Sequence, residues 1–460
     1  MRAVPCFILP IMRKLRLLVA FAFLTFFGFR TASVGYSAPF YVETQLPELT
    51  RLLEQARENA PSLVAQSIAQ QESVARLDAA KAAYYPRLDL NSTIGYRETH
   101  YDLATIEDDV STGANYYVRI HRPLYHWGAI EARIKQARLD QGNESLQQTL
   151  VLRQIKRGLR ANYLTLLLNR TALENLHIRR ELAATQLARL SSDQSAGTVS
   201  ALDATQLGLN QEQTLIDIEY LESEQKRILA AYQRDIGWSA PLALDAPIPS
   251  PDAAAVLGWV EQTRAAGLTA WLNDHAEVLR RKNLLQREKA ELTWIKSRQR
   301  PLLNLSASAG RDQRDAGGQT GVNAITYFVG VDVSWNIFDG FETSARARES
   351  NLRFRRYERQ LEAYRAELTA QAYDVLNIIS IHAKQLSLNE KRAKATQGSF
   401  AVAERDAAEG RLSAQNLRER QLNNQETALN LLRTRVNLLL ALNDYLDLTL
   451  PAAIDLPSGA

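Results

Sequence analysis

Sulfur is nearly absent from this chain. Its single cysteine, Cys6, and its two methionines, Met1 and Met12, lie at the extreme N-terminus. The rest can form no disulfide, thiolate metal site or cysteine nucleophile. The six histidines (His100, His121, His126, His177, His275, His382) are scattered, without metal-ligand spacing, so no metal or cofactor is expected. No phosphate-binding loop, nucleophile elbow or dinucleotide fingerprint occurs, and an enzyme is not expected. The one long apolar run, LLVAFAFLTFFGF, is too short for a stable membrane span. Arg13, Lys14 and Arg16 precede it and Thr31, Ala32 and Ser33 follow, so residues 1–33 read as a secretory signal peptide. That leader carries five basic residues and no acidic one, leaving 50 Lys and Arg against 51 Asp and Glu, a net of −1. With it goes any argument from bulk charge for a nucleic-acid partner.

What is present is one unit written twice. PRLDLNSTIGY, a loop and YYVRIHRPLYHWGAIEARI in the first copy face PLLNLSASAGR, a loop and VGVDVSWNIFDGFETSARA in the second. Pro86 meets Pro301 at an offset of 215 residues; from Val118 onward the offset is 213 and holds without gaps along the helices. The chain is a tandem duplication.

Residues 43–84 read as helical with an interruption at Pro61, and Leu63, Ile68, Val74, Leu77 and Ala80 form a narrow stripe suited to helix-on-helix packing. The period then changes to two. Leu88, Leu90, Ser92, Ile94 and Tyr96 share one face; Tyr116, Val118 and Ile120, then Leu303, Leu305, Ala307 and Ala309, then Tyr327, Val329, Val331, Val333, Trp335 and Ile337 repeat the pattern. A soluble hairpin alternates in the same way, but these strands run about 10 residues, the length of a tilted membrane crossing. Aromatics cluster at both ends, as at two bilayer faces. Tyr84, Tyr85, Tyr125, Trp127, Trp335, Phe338 and Phe341 stand on the helix side; Tyr96, Tyr101, Tyr116, Tyr327 and Phe328 stand toward polar loops at 98–114 and 311–323. Four strands cannot close a barrel, and lipid tolerates no open sheet edge, so the barrel has to be shared between subunits.

Proline-free helix runs from about 129 to 192, a rod on the order of 100 Å, and a second helix of half that length covers 201–234. A shorter helix such as 62–84 completes the second rod by stacking end to end. The duplicate has the same anatomy at 342–409 and 414–446. The resulting organisation is a first repeat at 40–236, a Pro/Ala-rich linker at 237–256, a second repeat at 257–448 and a tail at 449–460; linker and tail are read as an equatorial collar.

The duplicated architecture, the strand-to-helix junctions RPLYHWGAIEARI and SWNIFDGFETSARA, and the turn motifs AGTVSALD and EGRLSAQN resemble the TolC-like outer-membrane efflux proteins of Gram-negative bacteria over nearly the whole mature length. The fold this resemblance implies is mainly α with membrane β. It is a homotrimer whose four strands per subunit make a 12-stranded outer-membrane β-barrel, continuous with a long periplasmic α-helical barrel. The implied function is that of a passive exit duct of a tripartite efflux or type I secretion system. Its partners would be outer-membrane lipid, a periplasmic adaptor (membrane fusion) protein and an inner-membrane pump. In similar proteins acidic residues just inside the second helix of each pair line the closed periplasmic tip; the matching positions are Asp203, Gln206, Asn416 and Glu419. Gly197, Ser200, Gly410, Arg411, Ser413 and Arg418 form the tip turns, where the adaptor would dock. Ser200 with Asp203, and Ser413 with Asn416, equally have the spacing of an N-cap and its third helical residue. The alternative is a soluble periplasmic coiled-coil adaptor or structural protein, which explains the helices but not the strands.

Overall fold

A computed structural model describes residues 41–100, 109–195, 201–316 and 322–452. The expected leader, Tyr101, Gly197, Ser200 and the tail from 453 lie outside these residues. Two short helices open the chain, α1 (Pro47–Asn59) and α2 (Pro61–Lys81). Each begins on a proline, whose fixed φ and missing N–H suit the first helical turn. Strands β1 (Arg87–Thr99) and β2 (Asp109–Tyr125) follow, then the long α3 (Ala129–Ser195) and α4 (Ala201–Ile236). The second copy has α5 (Ala253–Ala266), α6 (Ala276–Ser297), β3 (Leu302–Ala316), β4 (Val322–Ser334), α7 (Glu342–Ala408) and α8 (Ala414–Thr449). Both long helices have 67 residues and both partners 36, so the duplication is preserved to the residue.

The strands form one antiparallel sheet in the order β1-β2-β3-β4. Leu88 faces Ile120, Ile120 faces Ala307 and Ala307 faces Val329, so the four apolar stripes lie on one face. The helices keep the same lateral order. On the sheet side of the molecule α2, α3, α6 and α7 are neighbours in sequence around the wall; toward the far ends the order is α4, α3, α8 and α7. Each layer is therefore an open ribbon of four elements with two free edges. Antiparallel to α3, α4 and α2 cover successive stretches of its length. Tyr232 of α4 donates to Leu159 O at 3.2 Å, and Gln66 of α2 reaches Glu144 at 2.8 Å.

The structure corrects several boundaries. The segments expected as loops at 98–114 and 311–323 are partly ladder, because β1 runs to Thr99, β2 starts at Asp109 and β3 continues to Ala316. Paired strands need not stop where the apolar alternation stops. Tyr116 and Tyr327 are consequently not at the strand ends. β4 ends at Ser334, before Trp335 and Ile337. Residues 253–256, expected as linker, start α5, which Asp252 caps by accepting from Ala254 N at 3.0 Å. Of the stripe expected on α2, Leu63 and Leu77 are buried, but Ile68 and Val74 are exposed on its free side.

The two strand-to-helix junctions share an unusual turn. Trp127 and Gly128 have φ of 55° and 80°, and Gly340 and Phe341 have 63° and 69°. Each pair holds one glycine and one aromatic in the left-handed region, in opposite order. A non-glycine residue there costs roughly 1–2 kcal/mol, and each aromatic is held by a neighbour. Trp127 packs edge-on against Tyr125 at 4.8 Å, and Phe341 against Phe338 at 5.4 Å.

Candidate functional site

The sheet is inside-out by the standard of a soluble protein. On the apolar face Leu90 is 73% exposed and Val329 78%, whereas on the polar face Asn304 is 8% and Ser306 6% exposed. The polar face carries a small network. His126 Nε2 lies 2.7 Å from Asn304 Oδ1, and the Ser306 hydroxyl bonds the Asp332 carboxylate and lies 3.5 Å from His121 Nδ1. Tyr117 lies against Gly310, where a Cβ would meet its Cβ at 2.8 Å. Such a sheet presents hydrocarbon to its surroundings and hydrogen-bonding groups to its interior, as a membrane barrel wall does. Of the expected belt residues, Tyr84, Tyr85, Tyr125, Trp335 and Phe338 are exposed at the helix end; Trp127 is half-buried there. Tyr96 is exposed toward the far end, and Tyr327 is exposed at mid-strand, paired with Ala309. Glu98 and Asn323 continue the ladder beyond them.

Midway along the helices lies a girdle. From α3, Arg153 donates to Pro451 O at 2.8 Å, Tyr163 to Ala243 O at 3.1 Å and Arg170 to Leu244 O at 2.8 Å. At its centre the fully buried Arg160 bonds Glu43 at 2.9 Å and Asp447 at 2.8 Å. Burial alone would lower the pKa of this guanidinium, but the two carboxylates carry it above its ordinary value. Burial pushes the Asp447 carboxyl up, against the pull of Arg160. Sequence reading missed this centre. Its partners are 117 and 287 residues away, and an arginine on a polar helix reads as solvated.

At the far end, the turn of the second hairpin has Gly410 at φ 72°, and Ser413 caps α8 by accepting from Asn416 N at 3.2 Å. Arg411 pairs with Glu409 and lies 3.9 Å from Asp406. Arg418 and Glu419 meet the first hairpin at the α3–α8 seam. Arg418 Nη1 lies 3.4 Å from Thr185 Oγ1, and Gln186 donates to Glu419 at 3.3 Å. Asn416 and Gln206 are exposed, and Asp203 lies in the first turn of α4.

The helices at the free edges carry exposed apolar side chains spaced by seven residues on α4 and by seven and then fourteen on α7. Leu202, Leu209 and Ile216 are exposed on α4; Ile381, Leu388 and Val402 are exposed on α7. Apolar stripes in heptad register on the free sides of two helices are suited to pair as a coiled-coil seam.

An apolar-outside sheet joined to an open ribbon of long helices is the architecture of a membrane-barrel wall continued by a helical wall. Residues 52–234, the first repeat, match the family model for outer membrane efflux proteins. The second repeat has the same anatomy 213 residues further on, so the likeness to TolC-like outer membrane efflux proteins extends along both copies. No curated protein matches it by sequence. Solved structures agree on the fold. The CmeC outer membrane channel of Campylobacter jejuni superposes with a TM-score of 0.74 at 12% identity, covering 91% of this chain and 89% of its own. For the outer membrane protein VceC of Vibrio cholerae the values are 0.67, 16%, 89% and 98%. For the open state of the MtrE outer membrane channel of Neisseria gonorrhoeae they are 0.66, 13%, 88% and 90%. The soluble-adaptor alternative does not fit an outward apolar sheet.

Proposed function

We propose that three copies of this chain close one twelve-stranded barrel and one helical tube, forming the passive exit duct of a tripartite efflux or type I secretion system. The observation that carries the reading is the pair of free edges in every layer. β1 and β4 have unpaired backbone on one side, which lipid does not tolerate, and four strands are about half the minimum for closure. Joining β4 of one copy to β1 of the next also brings the α7 stripe to the α4 stripe. A periplasmic adaptor docks at the helical tips around Gly197, Ser200, Gly410, Arg411, Ser413 and Arg418, and an inner-membrane pump supplies the energy and selects the cargo. Asp203 and Glu419, with Gln206 and Asn416, set the charge of the tip opening, where acidic rings favour cations.

The test is the mass and length of the mature protein extracted in detergent. A trimer well over 100 Å long supports the duct; a water-soluble monomer or dimer overturns it. In bilayer recordings of the trimer, Asp203→Ala and Glu419→Ala should each lower cation preference, and an unchanged reversal potential in both removes them from the opening.

A further inference from the structure

The sheet-to-helix junction of the second repeat holds a cationic cluster that conduction does not use. The connector Arg298–Pro301 between α6 and β3 is clamped by two indoles. Trp127 Nε1 donates to Pro301 O at 2.8 Å, and Trp335 Nε1 to Gln299 O at 3.0 Å. The Arg300 guanidinium lies 4.9 Å from the centroid of Trp127; Arg133 and Arg298 lie over Trp294 at 3.7 and 5.7 Å. Arg133 is 3.4 Å from Glu291 and Arg298 is 3.7 Å from Glu342. Arg300 is exposed and has no carboxylate partner among the described residues.

Three features fix where this cation points. Trp127 packs on Tyr125, which pairs with Leu303 in the apolar stripe, so the cluster belongs to the outward face. It lies under the two central strands, away from β1 and β4 where neighbouring copies join. It stands at the helix-side aromatic level, where headgroups meet a barrel. At the same level the first repeat has Tyr84, Tyr85 and Pro86 where the second has Gln299, Arg300 and Pro301.

We infer that Arg300, held on Trp127, binds the phosphate of an anionic phospholipid headgroup in the periplasmic leaflet. The inference rests on the outer-membrane placement. Contact with the indole anchors the guanidinium without using any of its N–H groups on a carboxylate, so they can take a bidentate phosphate, while the indole lies among glycerol and upper acyl groups. Arg298 and the exposed Lys296 add local attraction.

The experiment is native mass spectrometry of the full assembled protein, delipidated in detergent and titrated with phosphatidylglycerol, phosphatidylethanolamine or inorganic phosphate. Wild type should retain phosphatidylglycerol in preference to phosphatidylethanolamine. Arg300→Gln should weaken that retention about five- to tenfold, the loss of one stacked, charge-assisted contact. Arg300→Tyr, which installs the first repeat's residue, should do the same and guards against a misfolded variant. Arg359→Gln, which removes an exposed arginine paired with Glu362, should leave retention unchanged. Equal retention by Arg300→Gln, or equal loss in Arg359→Gln, overturns the site. Displacement of the lipid by millimolar inorganic phosphate overturns its assignment to a headgroup. Failure of the protein to float with liposomes would instead strike the outer-membrane placement.

Discussion

The two repeats hold the same girdle by different physics. Where α3 presents Arg153, Arg160 and Arg170, the equivalent positions of α7 are Ala366, Tyr373 and Ala383. The first repeat grips the chain's N-terminal segment, linker and C-terminal end through guanidinium bonds to carboxylates and carbonyls. The second grips α5 through apolar contact. Val256, Val260 and Leu268 pack on Ala372, Leu376, Ile379 and Leu386 of α7 and on Leu438, Leu442 and Tyr445 of α8. Trp259 meets Tyr445 edge-on at 5.3 Å. The divergence follows what each helix has to hold. Strands of irregular backbone offer carbonyls and need donors, whereas a helix offers a greasy face and needs a matching one.

The sharpest way to break the contrast is Arg160→Met. It leaves Glu43 and Asp447 buried with no cation, at a cost of about 3–5 kcal/mol. Thermal unfolding in detergent should fall accordingly, and proteolysis should begin within residues 42–59. Its apolar counterpart, Leu376→Ala, should cost about 2–5 kcal/mol, with no dependence on salt or pH. A salt-dependent loss there would erase the distinction.

His275 joins the two halves, because it meets Trp271 edge-on at 5.8 Å and faces Tyr364 on one side and Arg153 on the other. Burial, and then the Arg153 charge, push its imidazole down from 6.5 to about 4. The unfolded chain takes up a proton below pH 6.5 while the folded chain does so only near 4. The stability this group allows is complete above pH 6.5 and falls as pH drops through that window, by on the order of 3 kcal/mol at most. Melting curves from pH 7 to 4.5 should show the fall, and His275→Gln should flatten it. The smallest effect is expected at the α3–α8 seam. Arg418→Ala should shift stability by about 1 kcal/mol or less, since its contact with Thr185 is exposed.

The periodic parts of this molecule were legible in its sequence. The constant offset from Val118 onward reappears as helices of equal length, and alternation at Leu88–Ile94 and Tyr327–Val333 reappears as the outward face. Local period and duplication are properties of neighbouring residues. The ladder beyond Thr112 and Arg311 was not legible, because strand pairing continues there after its apolar signal has ended. α5 was hidden in Pro/Ala-rich sequence whose helical part shows only through its Asp252 cap. The Arg160 centre was hidden for a different reason, since it joins three points of the chain that no window contains.

The four-element ribbon has one further consequence. The edges of a strip one strand or one helix thick stay bare until they meet those of other strips, while the girdle at its middle is already packed within one copy. In the three-copy assembly proposed above, the closing of those edges depends on protein concentration, whereas the packing of the girdle does not.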